Sequence, residues 1–117
     1  MSLINLNAFE ILKLFNSNKL SAVEYVSELI NHIKLREPNV EAWAFLNEDL
    51  VKSQAKKIDE KRSKNLQKPF SGIPIGIKDI IDTKDFPTEN GSKTCLGRKP
   101  KEDAHLVKLL RENDNII

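Results

Sequence analysis

The chain has 117 residues, 39% of them hydrophobic and 31% charged, with 19 basic residues against 17 acidic ones. At this length it forms one small domain at most, able to bury roughly two-thirds of the surface its unfolded form exposes. A formal net charge of +2 leaves no electrostatic footprint for nucleic acid, and no apolar run nears the roughly 20 residues that a membrane span needs.

Asn7 opens the first predicted helix: its side chain can cap, and Glu10 three residues on completes a capping box. Ala8, Ile11, Leu12 and Phe15 then fall on one face, and Asn16-Ser17-Asn18 interrupts them. Ser21 and Glu24 restart the pattern with a second capping box, after which Val23, Val26, Ile30 and Ile33 make an apolar stripe at spacings of three and four. This helix is expected to end near Glu37, because Pro38 disfavours helical geometry in the residue before it. His32, beside the stripe, reads as a boundary residue without a ligand role. Ala42-Trp43-Ala44-Phe45-Leu46 is short, aromatic and apolar, which predicts a strand or an extended core segment. Asn47 can cap a third helix with Val51, Ala55 and Ile58 inward and Lys52, Lys56, Lys57 and Lys61 toward water. Asp59 and Glu60 lie among those lysines, so the run is a solvated helical face, not a phosphate-binding patch. Residues 63–69 are polar and without period, a loop.

The stretch Ser71 to Thr83 is the centre of the chain. Branched aliphatics at 73, 75 and 77, with Gly72 and Gly76 between them, have the profile of a buried strand over Ile73 to Ile77. That strand stops at Lys78, with Asp79 and Asp82 just beyond. A lysine held partly dehydrated at the end of an apolar strand is a candidate base, whereas the plainer reading makes it the first solvated residue after the core. Since the helices come before this strand, they cannot be the crossover of a parallel sheet and are expected to pack outside it. From Asp82 to Pro100 the chain is turn-like, with Gly91-Ser92 as a hydroxyl-bearing site. About 20 residues without regular structure are uncommon in a small domain and often functional. Cys95, the single cysteine, cannot form an internal disulfide. Together with an N-terminus that lacks the pattern of a secretory leader, it points to a reducing, cytoplasmic setting. A last helix is predicted from Asp103 to Asn113, with an acidic start and with Leu106, Val107 and Leu110 on one side. Asn115-Ile116-Ile117 then opens a second strand, parallel to the first.

The segment Gly72-Ile-Pro-Ile-Gly-Ile-Lys78-Asp79, followed by Asp82-Thr83-Lys84-Asp85, Pro87-Thr88-Glu89-Asn90-Gly91-Ser92 and Asp103-Ala104, closely resembles the N-terminal part of the amidase signature family. Leu20-Ser21-Ala22-Val23-Glu24 and the Ala- and Lys-rich third helix extend the likeness along essentially the whole chain. The resemblance implies an α/β fold in which N-terminal helices pack on the start of a mixed sheet. It divides residues 1–117 into a helical part, 1–63, and a part made of lysine strand, loop, helix and strand start, 70–117. It also implies that Lys78 is the terminal base of a Ser–cisSer–Lys triad that hydrolyses amides, a chemistry calling for no cofactor or metal. The family's glycine- and serine-rich loop, which brings both serines and the oxyanion donors, has no counterpart in this sequence; Ser63, Ser71 and Ser92 stand in other contexts. Where relatives tend to carry Ala-Gly-Ala before the final strand, this chain has Asn113-Asp114-Asn115.

Three readings follow. The chain is the N-terminal region of an amidase and inactive alone; or it supplies Lys78 to a complementing C-terminal chain that carries the serines, as half of a split enzyme; or it is a non-catalytic interaction module. A two-stranded pair is marginal by itself and leaves bare edges and faces. Self-association, capture of a complementing amidase chain, or partial disorder beyond Lys84 is therefore expected, as against a stable monomer.

Overall fold

Helices α1 (Ala8–Asn16) and α2 (Ala22–Val40) begin where side chains replace the missing backbone partners of the first turn. Asn7 Oδ1 accepts from the Glu10 amide at 3.1 Å while the Asn7 amide donates to Glu10 at 2.8 Å. Ser21 and Glu24 repeat the exchange at 3.1 and 2.8 Å. The computed structural model describes residues 2–117, and both predicted capping boxes are present in it. α3 (Glu48–Ser63) starts at Asn47, which caps the Leu50 amide at 3.0 Å. α4 covers His105–Glu112, and short 3-10 turns occupy Leu3–Asn5 and Lys93–Cys95.

The three N-terminal helices close one core. Ile11, Leu12 and Phe15 from α1, Tyr25, Val26 and Ile30 from α2, and Ala55 and Ile58 from α3 are buried. Each large aliphatic or aromatic side chain among them contributes about 1.5–3 kcal/mol by leaving water. Phe15 and Tyr25 meet edge to face with centroids 5.9 Å apart. Ala8, expected on the buried face, is exposed. α2 also continues through Pro38 instead of ending near Glu37. So close to a helix end the proline costs a single backbone hydrogen bond, and Glu41, left-handed at φ 51°, closes the turn with its amide on Glu37 O at 2.9 Å.

Polar side chains of α3 tie this core to everything around it. Asp59 accepts from the Ala22 and Val23 amides at 2.8 and 3.1 Å, placing a negative charge on the N-terminus of α2. The Arg62 guanidinium lies 4.7 Å from the Phe15 ring centre and donates to Ser71 O at 3.1 Å. Burial pulls its pKa down from the ordinary value, with the Asp59 charge acting against that. Lys61 pairs with the buried Asp114. Gln54 exchanges two 2.9 Å hydrogen bonds with the backbone N–H and C=O of Ile117.

The sheet is where expectation and structure part. No strand forms among the described residues, so the α/β architecture is not visible here. Ile73 to Ile77 and Asn115 to Ile117 make one isolated parallel bridge, Pro74 to Ile116. Ile116 N donates to Ile73 O at 3.1 Å and Ile75 N to Ile116 O at 2.8 Å. The pairing has the expected direction but does not extend: Gly72 at φ +91° bends the chain on one side, and the Ile73 N–H is taken by Phe70 O at 3.3 Å and not by residue 114. Ala42 to Leu46 is likewise no strand. It is irregular, with Trp43 and Phe45 each 41% exposed, because an aromatic segment without a partner ladder has nothing to make it β.

The long connection after Lys78 is irregular, as its sequence predicts, yet densely bonded. Arg98 grips Asp82 through two hydrogen bonds of 2.7 and 2.9 Å. Thr83 and Thr88 are buried. α4 starts at His105, two residues later than predicted, with Ala104 at its N-cap and no side-chain cap. Asp103 is bonded instead to the Lys84 amide at 2.9 Å and to Arg111 at 2.8 Å. Of the face expected to turn inward, only Val107 is buried; Leu106 is 50% exposed.

A methyl group at Gly72 would lie 3.2 Å from both Ile58 and Phe15, in a backbone conformation that L-residues rarely adopt. Gly72→Ala is therefore expected to cost about 2 kcal/mol or more in chemical denaturation. Burial alone would push the Asp103 carboxyl up, but the Lys84 amide and the Arg111 and Lys84 charges together outweigh it and hold it below its usual range. A carboxyl depressed by folding stabilises above its unfolded pKa of about 3.9, and that stability is lost as pH falls through the lower folded value. Asp103→Asn should lower stability at neutral pH by about 1–3 kcal/mol and make the acid limb of the stability curve shallower. Urea titrations across acid pH measure both.

Candidate functional site

Lys78 follows the Pro74 bridge by four residues, so the short pairing of Ile73 and Ile75 with Ile116 fixes where its backbone leaves the core. Its carbonyl accepts from the Ile81 amide at 3.0 Å and starts the turn that leads away. The side chain is exposed and stands at an open cavity of about 500 Å³. Trp43, Phe45, Phe86 and Pro87 form the apolar wall of that cavity. Phe45 and Phe86 stack, centroids 5.4 Å apart and planes 22° from parallel. Trp43 covers Gly76: a methyl group there would lie 3.4 Å from the indole.

The two carboxylates after Lys78 do not pair with it. Asp79 turns to the opposite loop, where its oxygens accept from the Glu89 amide at 2.8 Å and the Gly91 amide at 3.3 Å, while its carbonyl accepts from Asn90 at 2.9 Å. The tight turn there needs left-handed backbone at Asn90 and Gly91, φ 57° and 62°. Asp82 belongs to Arg98, whose hydrogen bonds hold its carboxyl below the ordinary range. Among the described residues no acidic side chain pairs with the Lys78 ammonium, as each ion pair lies elsewhere. The site thus joins a lysine without an ion-pair partner to an aromatic, largely apolar wall.

None of the three singled-out serines lines this cavity. Ser63 donates to Glu60 O at 2.8 Å, Ser71 is buried, and Ser92 shares a 2.8 Å hydrogen bond with Thr94 while capping the Lys93–Cys95 turn. The described residues contain no cluster of three His, Cys, Asp or Glu able to hold a metal ion, and no helix among them is long and apolar enough to cross a membrane. Sequence reasoning singles out Lys78 and says nothing of the aromatic wall beside it. Trp43 and Phe45 carried the signal, being aromatic and adjacent to no partner of their own. Phe86 sits next to the Pro87 bend and could have been paired with them only through a contact 41 residues away.

The amidase family model matches residues 24–117. A glutamyl-tRNA(Gln) amidotransferase subunit from Clostridium botulinum (strain Okra / Type B1) is 32% identical over 118 aligned residues, covering 100% of this chain and 24% of the relative. Its counterpart from Rhodopirellula baltica is 30% identical over 112 residues, or 95% of this chain and 22% of the relative. The chain therefore spans about a quarter of the length of these relatives. Among solved structures, an amidase family protein from Bacillus anthracis superposes with a TM-score of 0.87 at 27% identity, over 97% of this chain and 23% of that one. The peptide amidase of Stenotrophomonas maltophilia gives 0.89 at 24% identity, over 96% and 23%, which speaks to fold alone. A family match across most of the chain, end-to-end identity above 30% and close superposition on amidases agree: this chain is a member of the amidase family.

Proposed function

We propose that this chain contributes the base of an amide-hydrolysing site, with Lys78 as the terminal residue of a Ser–cisSer–Lys triad. The observation that carries the reading is the open cavity beside Lys78, whose side-chain nitrogen has no ion-pair partner while Asp79 is held away by the Glu89 and Gly91 amides. Hydrolysis needs a hydroxyl within about 2.6–3.2 Å of the base or of a relay, and donors for the charge that develops on the carbonyl oxygen. A glycine- and serine-rich segment laid into the cavity supplies both. As the neutral amine, Lys78 takes the nucleophile's proton through the bridging serine while the oxygen attacks the carbonyl carbon; that proton passes to the departing amine as the C–N bond breaks, and water, deprotonated by the same relay, then releases the acid from the acyl-enzyme. The relatives' names support an amide C–N bond as the shared chemistry: one set is amidotransferase subunits, the other amidases. In this reading residues 1–117 are the N-terminal part of an amidase domain whose C-terminal part carries the serines; a complementing C-terminal chain that brings them separately is the alternative.

Two outcomes are expected. The purified 117-residue chain hydrolyses no amide and takes up no serine-directed fluorophosphonate; mass spectrometry detecting label on any of its serines defeats the proposal. When mixed with the C-terminal portion of a related amidase, it should restore hydrolysis, and Lys78→Met should then lower kcat by about 10²–10⁴-fold, the usual contribution of a general base. Because Lys78 is exposed and unpaired, the substitution should leave thermal unfolding of the chain unchanged. An unaltered kcat in the reconstituted Lys78→Met complex removes Lys78 from the mechanism.

A further inference from the structure

Of the asparagines in the chain, only Asn90 is followed by glycine. The pair forms the two central residues of a tight turn, both left-handed at φ 57° and 62°, which the Ser92 amide closes on Glu89 O at 2.9 Å. Asn90 and Gly91 are exposed, and a Cβ at Gly91 would meet nothing within 4 Å. Among the described residues the Gly91 amide has one bonded partner, the Asp79 carboxylate, at 3.3 Å. The Asn90 amide donates to Asp79 O at 2.9 Å, and Asn90 Nδ2 lies 3.7 Å from Cys95 Sγ. An asparagine carboxamide thus stands beside an unhindered backbone nitrogen, and one acidic residue holds both.

We propose that Asn90 is a site of spontaneous deamidation and that Asp79 sets its rate. The Gly91 nitrogen loses its proton to hydroxide and attacks Asn90 Cγ; the bond from Cγ to Nδ2 breaks, the nitrogen leaves as ammonia with a proton from water, and a succinimide ring remains. Water then adds to one of the two ring carbonyls. The ring opens to aspartate or to isoaspartate, in which the chain runs through the side chain and gains one backbone atom. The folded turn opposes the first step in two ways. Closing the ring rotates the Asn90–Gly91 peptide out of its left-handed arrangement, which the bonds from Asn90 to Asp79 O and from Ser92 to Glu89 O resist. The Asp79 carboxylate also holds the very proton that must be lost, and its negative charge disfavours an amide anion beside it. Deamidation therefore proceeds through openings of the turn, at a rate that follows how often the Asp79 contacts break. The product changes the turn for good: a second carboxylate faces Asp79, and the added atom of isoaspartate takes the amides of residues 89 and 91 out of register with it. The segment that leaves the core at Lys78 then loses its hold on the opposite loop. Apart from water, every group in this step lies between Asp79 and Cys95, and none of them acts in the amide-hydrolysis reading, so the two stand or fall separately.

Ageing the 117-residue chain at mildly alkaline pH, with peptide mapping by mass spectrometry and methyl transfer by an isoaspartyl methyltransferase, tests it. Conversion should appear at Asn90 before any other asparagine and should include isoaspartate. The folded chain should convert about tenfold or more slowly than the same chain in urea, and Asp79→Ala should remove most of that difference, since hydrogen bonds to a charged group are among the stronger ones. Circular dichroism checks that the variant keeps its helices. Should Asp79→Ala fail to fold, amide exchange of the wild-type chain decides: the protection of the Gly91 N–H should match the ratio of unfolded to folded deamidation rates, because both processes need the same opening. In the aged chain the Glu89 and Gly91 amides should exchange faster than before. Conversion first at another asparagine, equal rates in the folded and unfolded chain, a folded Asp79→Ala variant no faster than wild type, or Gly91 protection unrelated to the rate ratio would each overturn the proposal.

Discussion

The carboxylate of Asp59 rests on the first two N–H groups of α2, and this contact fixes the angle between the two longest helices. It is charge-assisted, twofold and placed where the helix carries its positive end, the combination in which a hydrogen bond contributes most. Once α3 is docked this way, its neighbouring turns have their targets set. Arg62 comes to lie over Phe15 and reaches Ser71 O, Lys61 reaches Asp114, and Gln54 reaches Ile117. The apolar residues fill the space, but these polar ends decide which part of the chain lies against which. Gly72 belongs to the same arrangement: it passes between Ile58, Phe15 and Arg62 with no room for a methyl group. The stretch that ends in Lys78 is thus anchored at its start by close packing and along its length by Ile116.

Beyond Lys78 the constraint changes kind. There is almost no regular structure between 79 and 104, and order comes from carboxylates that serve the backbone. Asp79 gathers the 89–91 turn, Asp82 and Arg98 bring residues 82 and 98 together, and Asp103 joins the Lys84 amide to α4. Each of these acids is engaged by a donor other than Lys78. The division leaves Lys78 without an ion-pair partner at the cavity that Trp43, Phe45 and Phe86 line.

What could be read from the sequence follows the reach of each interaction. The capping boxes at Asn7–Glu10 and Ser21–Glu24 obey a rule that spans three residues, and both are found. The inward residues Ala55 and Ile58 and the outward lysines of α3 follow from helical period alone. Failures begin where the answer lies elsewhere in the chain. Ala42 to Leu46 has strand composition, but a strand exists only through its neighbour. Asp103 looks like a helix cap, yet Lys84 and Arg111 claim it across 19 and 8 residues. Pro38 is a reliable breaker in mid-helix and a weak one in the last turn, where a single bond is lost. Lys78 is singled out only because its surrounding motif resembles a known family; no local signal joins residues 43, 45 and 86 into the aromatic wall beside it.

Trp43 is the only tryptophan in the chain, and it covers Gly76 while lining the Lys78 cavity. An indole at 41% exposure emits from a half-aqueous environment, and its emission shifts when water leaves. The protein therefore carries its own optical probe at the place where chemistry is expected. Any group that fills the cavity or presses on the Gly76 backbone changes the light from one residue, with no other tryptophan to obscure it.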